Sequence, residues 1–107
     1  MNVDIEKALD FMRDNAGKLA EAKANRVHLE QFRKSKKALL MRQVEGPQHV
    51  RESYAYAHPS YIEILDGLKA AVEEEERLKW MMIAAQTKCD IWRTVQASNR
   101  RVDRAHQ

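Results

Sequence analysis

The sequence predicts an all-α protein, a long antiparallel helical hairpin of coiled-coil type with a short helix at its tip, assembling as a dimer. Three observations lead there. The 107 residues include only three glycines and two prolines, too few for the many tight turns of a multi-stranded sheet. Apolar residues recur at alternating spacings of three and four along two long stretches, the pattern of one buried helix face. The two strong breaks, Gly46-Pro47 and His58-Pro59, fall close together near the middle, so two long helices flank one short one.

The first helix is expected over about residues 4–43. Ile5, Leu9, Met12, Ala16 and Leu19 form a narrow stripe, which drifts through Ala20, Ala24, Val27, Phe32 and Leu39 with Lys23, Gln31 and Lys34 interrupting it. Asn2 or Asp4 can cap its start, and Asp4, Glu6 and Asp10 suit the positive end of the helix dipole. Gly46 fits the position after a helix end, and Pro47 cannot continue that helix but can open the next. Val50, Tyr54 and Ala57 then share a face of a short helix over about 48–57. Proline keeps the preceding residue, His58, out of helical geometry and is itself favoured at a first helical position.

The long final helix is expected over about residues 59–101. Its stripe runs Ile64, Leu68, Ala71, Glu75, Leu78, Met82, Ala85, Cys89 and Trp92, alternating by four and three. Short connections favour antiparallel neighbours, and charge agrees. Folding back sets the acidic run Glu73 to Glu76 across from Arg26 to Arg33, and the C-terminal arginines near Asp4, Glu6, Asp10 and Asp14. Glu75 lies on the stripe itself, a polar position that sets register opposite an arginine or lysine. An isolated helix pair buries little, so a homodimer or four-helix assembly is expected. The length fits a single domain spanning residues 1–107.

Composition excludes several classes. The chain has 19 basic and 16 acidic residues, a net charge of +3, well short of a dedicated nucleic-acid wrapper. Its one cysteine, Cys89, rules out an internal disulfide and suits a reducing compartment, so a cytoplasmic location is expected. No leader pattern opens the sequence, and no stretch approaches the roughly 18 apolar residues of a membrane span. No cofactor, metal or small-molecule substrate is expected. Consecutive glutamates spread around a helix at about 100° each. The histidines, His28, His49, His58 and His106, sit at no ligand spacing from each other or from Cys89. No phosphate loop, nucleophile turn or carboxylate pair marks an enzyme.

Two basic groups and one aromatic group remain as candidate sites. Arg33, Lys34, Lys36 and Lys37 gather in the second half of the first helix, with Arg42 beyond them. Arg93, Arg100, Arg101 and Arg104 gather beside Trp92 at the C-terminus. Such residues can track phosphates, and tryptophan can stack on an unpaired base; equally, basic residues near a helix end complement its dipole. Tyr54, Tyr56 and Tyr61 lie within eight residues of one another at the tip. Tyr54 and Tyr61 are expected to fill the end of the core, leaving Tyr56 exposed as a contact for a protein partner.

Arg51-Glu52 leading into Tyr54-Ala55-Tyr56-Ala57-His58-Pro59-Ser60-Tyr61, then Leu65, Gly67 and Leu68, and later Ile91-Trp92-Arg93-Thr94 before Ala97, Asn99 and Arg100, resemble a family of small helical bacteriophage and prophage proteins. The likeness covers roughly the second half of the chain. Where that family has serine or aspartate before the proline and an acid after it, this chain has His58 and Ser60, which implies a different helix cap. The resemblance implies a phage accessory protein and carries no catalytic residues. Three roles follow as expectations. One is a non-enzymatic dimer assisting phage DNA recombination or replication by contacting DNA or a DNA-bound protein. The second is an inhibitor or adaptor that binds a host or defence enzyme. The third is a structural or assembly part of the phage particle.

Overall fold

The computed structural model describes residues 2–106 and is an all-α helical hairpin of three helices, α1 (Val3–Met41), α2 (Gln48–Ala57) and α3 (Pro59–Ala105). No strand occurs among the described residues. The chain divides into two compact units, one of Met1–Leu19 with Arg77–Gln107 and the other of Ala20–Glu76.

Each helix boundary has a local cause. Asn2 caps α1, its Oδ1 accepting from the Asp4 N–H at 2.8 Å while its carbonyl accepts from the Ile5 and Glu6 N–H groups at 3.1 Å. This satisfies two of the N–H groups that a helix start leaves open, those of Asp4 and Ile5, the Glu6 bond being the first of the regular helical series. At the other end α1 stops at Met41, two residues earlier than expected. The Arg42 and Gln43 N–H groups bond the Leu39 and Leu40 carbonyls at 3.3 and 3.0 Å, tightening the last turn, and Arg51 Nε donates to the Met41 carbonyl at 3.1 Å. Gly46 then adopts φ +129°, a region that side chains resist. Pro47 opens α2 without a side-chain cap, its carbonyl accepting from Val50 and Arg51 at 3.1 and 3.2 Å.

His58 is extended, with φ −69° and ψ 134°, as a residue before proline must be. Its Nδ1 accepts from the Ser60 backbone N–H at 3.1 Å and lies 2.7 Å from Ser60 Oγ, while its carbonyl accepts from Tyr61 and Ile62. The imidazole therefore performs the capping that a serine or aspartate usually performs. His58→Ala should lower stability by about 1 kcal/mol and His58→Asp should restore it; urea unfolding midpoints of the two variants check this.

The buried positions keep a period of 3.5 residues, that of a coiled-coil seam. In the Ala20–Glu76 unit, α1 turns Ala22, Arg26, Leu29, Arg33, Lys36 and Leu40 inward and α3 turns Tyr61, Ile64, Leu68, Ala71 and Glu75 inward. In the other unit, Ile5, Ala8, Met12, Asn15 and Leu19 of α1 and Leu78, Met82, Ala85, Cys89 and Trp92 of α3 are buried or half-buried. The α3 seam is the one expected. The α1 seam is so only in part: Ile5, Met12 and Leu19 lie on it, but Leu9, Ala16, Ala20, Ala24, Val27, Phe32 and Leu39 are all exposed. Ala8 replaces Leu9 in the cluster of Ile5, Ala8, Ala85 and Cys89, against which Phe11, Met12 and Trp92 pack.

At the tip, Leu40, Ala55 and Tyr61 form a second cluster with Met41 against it. Antiparallel packing is visible within this unit, since Arg26 meets Glu75 while Leu40, fourteen residues on, meets Tyr61, fourteen residues back. No helix among the described residues is long and apolar enough to cross a membrane.

Candidate nucleic-acid interface

The α3 helix runs four residues beyond the expected end at 101, to Ala105, and α1 begins only at Val3. Because Ile5 clusters with Cys89, the last two or so turns of α3 extend past the start of α1. Every residue from Ser98 to His106 is exposed. At 100° per residue, Arg93, Ala97, Arg100, Arg101 and Arg104 fall within an arc of about 100°, so the four arginines share one face. They line two adjoining shallow depressions, one with Asp90, Thr94 and Ala97 beside Arg93 and Arg100, the other with Ala97 beside Arg100, Arg101 and Arg104.

Electrostatics distinguishes these arginines from one another. Arg93 donates to Asp90 Oδ1 at 2.8 Å, one turn back on the same helix. Among the described residues, Arg100, Arg101 and Arg104 have no carboxylate within 4 Å. The expected partners are occupied elsewhere or apart: Asp10 and Asp14 both pair with Arg13, at 3.3 and 3.2 Å. The pairing with Asp4, Glu6, Asp10 and Asp14 is therefore not formed. The segment 93–105 carries four arginines against one aspartate, a net +3 that equals the charge of the whole chain.

The first basic group is divided. Arg33, Lys34 and Lys37 line a depression of 290 Å³ with Tyr56 and Tyr61, whereas Lys36 faces a separate one with Leu29, Phe32, Ser60, Glu63, Ile64 and Gly67. Lys37 lies 4.7 Å above the Tyr56 ring and 3.7 Å from Glu52. Hydrogen bonding to the Tyr56 side chain, then the fields of Tyr56 and Glu52, raise the Lys37 pKa against some desolvation. The hydrogen bond from Gln48 at 3.1 Å, then the charge of Lys37, lower that of Glu52. Lys37 is thus partly neutralised from within the fold.

The tyrosines are also divided. Tyr61 is buried and Tyr56 is exposed, as expected, with their rings edge to face at 5.4 Å. Tyr54, expected in the core, is instead 37% exposed. Its hydroxyl donates to Gln43 Oε1 at 2.9 Å and its ring meets His58 edge-on. Ala55 takes the core place, fully buried beside Leu40 and Tyr61. With Lys37 above its face and Tyr61 against it, the Tyr56 ring is poorly placed to stack on a base.

The acidic run gives one specific contact. Arg26 Nε and Nη2 both donate to Glu75, the second at 3.1 Å, and Nη1 donates to Glu30 at 3.0 Å. Hydrogen bonding to the Glu75 carboxylate, then to that of Glu30, holds the guanidinium well above its ordinary pKa. The expectation that Glu75 meets a basic residue across the seam is met in this unit, and by Arg26 specifically. Cys89 is a buried free thiol in the apolar cluster. No group of three or more potential ligands is close enough to hold a metal ion among the described residues.

Fold and surface together define the class as an all-α helical hairpin with a basic, exposed end to its longest helix. No protein-family model matches the chain, and no curated protein or solved structure is significantly similar to it.

Proposed function

We propose that this chain is a non-enzymatic accessory protein of phage type that assists DNA recombination or replication in the bacterial cytoplasm, contacting nucleic acid through the arginine face at the end of α3. The observation that carries this reading is that Arg100, Arg101 and Arg104 share that face with Arg93, are exposed, and have no carboxylate within 4 Å among the described residues. Arginine side chains free of internal acids release counterions when they meet phosphates, and a helix presents them at fixed spacing. The Tyr-Ala-rich tip and the Ile91-Trp92-Arg93 segment support the phage assignment through the resemblance they carry. The tip supports a protein-docking role less, because Tyr54, Tyr56 and Lys37 are engaged with their own neighbours.

Fluorescence anisotropy with single-stranded and duplex oligonucleotides across a salt series tests this. The wild type should bind at low salt and weaken steeply as salt rises. Replacing Arg100, Arg101 and Arg104 together by alanine should reduce the log–log salt slope by about 2 to 3, while replacing Lys37, already engaged with Glu52 and Tyr56, should change it little. Absence of binding at low salt would overturn the assignment.

A further inference from the structure

We infer that the chain pairs with a second copy of itself through one face of the unit formed by Met1–Leu19 and Arg77–Gln107, centred on Ala84. The first argument is area. The chain exposes 7998 Å² for a mass of 12.5 kDa, where a folded monomer of that mass leaves about 6,200 Å², an excess of roughly 1,800 Å². A stable interface takes about 800 Å² from each partner. The excess is large enough to supply one.

The second argument is where apolar surface lies. Between α1 and α3 of this unit runs a groove of 310 Å³ whose floor is Ala8, Ala84 and Ala85 and whose walls are Phe11 and Met81. On the Ala84 side of α3 stand Trp80 and Ile91, 62% and 60% exposed. By helical geometry both lie within about 40° of Ala84 around the axis. They are turned well away from Leu78 and Cys89 of the seam, so they form a second apolar face on the same helix. Large side chains left this open on a charged helix mark a contact surface.

The third argument selects the occupant. A twofold interface requires one surface to carry both the protruding and the receiving parts, and this face has both: Trp80 and Ile91 protrude beside an alanine-floored hollow. Its rim also carries both signs, with Asp4 against Lys7 and Lys88, so a twofold axis through the groove brings acid of one copy to base of the other. Two helix pairs joined in this way make a four-helix assembly, whose core completes what one pair leaves exposed.

Sedimentation equilibrium of the full chain at micromolar concentration tests the inference without nucleic acid, so its failure leaves the arginine-face reading standing. The wild type should sediment at twice 12.5 kDa. Ala84→Glu should raise the dimer Kd about 100-fold or more with far-UV circular dichroism unchanged, because Ala84 is exposed and outside the core cluster. Ile91→Asp, equally outside that cluster, supplies a second variant with the same expectation, and Ala70→Glu, exposed in the other unit, should leave pairing intact. A monomeric wild type, or folded Ala84→Glu and Ile91→Asp variants that pair as tightly as wild type, would overturn it.

Discussion

Leu40→Ala should lower the stability of the chain by about 3 kcal/mol, the middle of the range for truncating a buried leucine. Leu40 is 1% exposed, and among the described residues no larger side chain is so completely enclosed. Leu40 and its neighbours Ala55 and Tyr61 stand on three different helices, so the structure cannot close over the lost atoms by a small shift of one of them. The consequence falls first on α2. Ten residues are too few for an independent helix, and α2 buries only Ala55. Its other attachments are the part-buried Arg51 bond to the Met41 carbonyl, the Tyr54 bond to Gln43, the Tyr56 ring against Tyr61 and the partly exposed Lys37 pair with Glu52, a kind of ion pair that adds little. Urea unfolding should show the loss, and amide exchange in residues 48–57 should rise before that of the long helices. Leu39→Ala provides the contrast: its side chain is 53% exposed, and its replacement should change stability by less than about 0.5 kcal/mol.

The difference between Leu39 and Leu40 shows what the residues announce and what they conceal. The α3 seam is legible because every position but one, Glu75, carries an apolar side chain at the seam spacing, so periodicity alone selects the face. On α1 the seam includes Asn15, Arg26, Arg33 and Lys36, while apolar Leu9, Val27, Phe32 and Leu39 lie outside it. Hydrophobicity therefore points to the wrong face over much of that helix. A different signal was present: stepping alternately by three and four from Ile5 reaches Ala8, Met12, Leu19, Ala22 and Leu40 without a break in register. The tip breaks were legible because glycine and proline act locally. The arginine cluster was legible as a composition, but its freedom from carboxylates was not, since that depends on where α1 begins relative to α3 and on Arg13 engaging both Asp10 and Asp14. Tyr54 misled for a similar reason, because its apolar ring fits the core pattern while its hydroxyl finds Gln43 outside it.

Replacing either Arg26 or Glu75 by leucine should lower the unfolding midpoint by roughly 5–10 °C, whereas replacing both should restore it or raise it further. The asymmetry follows from desolvation. The two side chains retain only 24% and 12% of their exposure, and a single substitution sets one half-buried charge against an apolar neighbour. Removing both charges also removes the cost of burying them, and seam positions filled by leucine pack at least as well. The pair then stabilises less through its own strength than by excluding alternatives. With Leu29, Ala71 and Leu78 as near neighbours along an otherwise repetitive seam, a shift by one heptad keeps apolar groups together and is resisted chiefly by the need to bring Arg26 back to Glu75. The double leucine variant should accordingly be stable but less uniform. Sedimentation velocity should show a broader distribution of oligomers, and the amide spectrum should show more than one signal for residues flanking positions 26 and 75. A double variant that is both stable and as uniform as wild type would assign the pair no part in setting register.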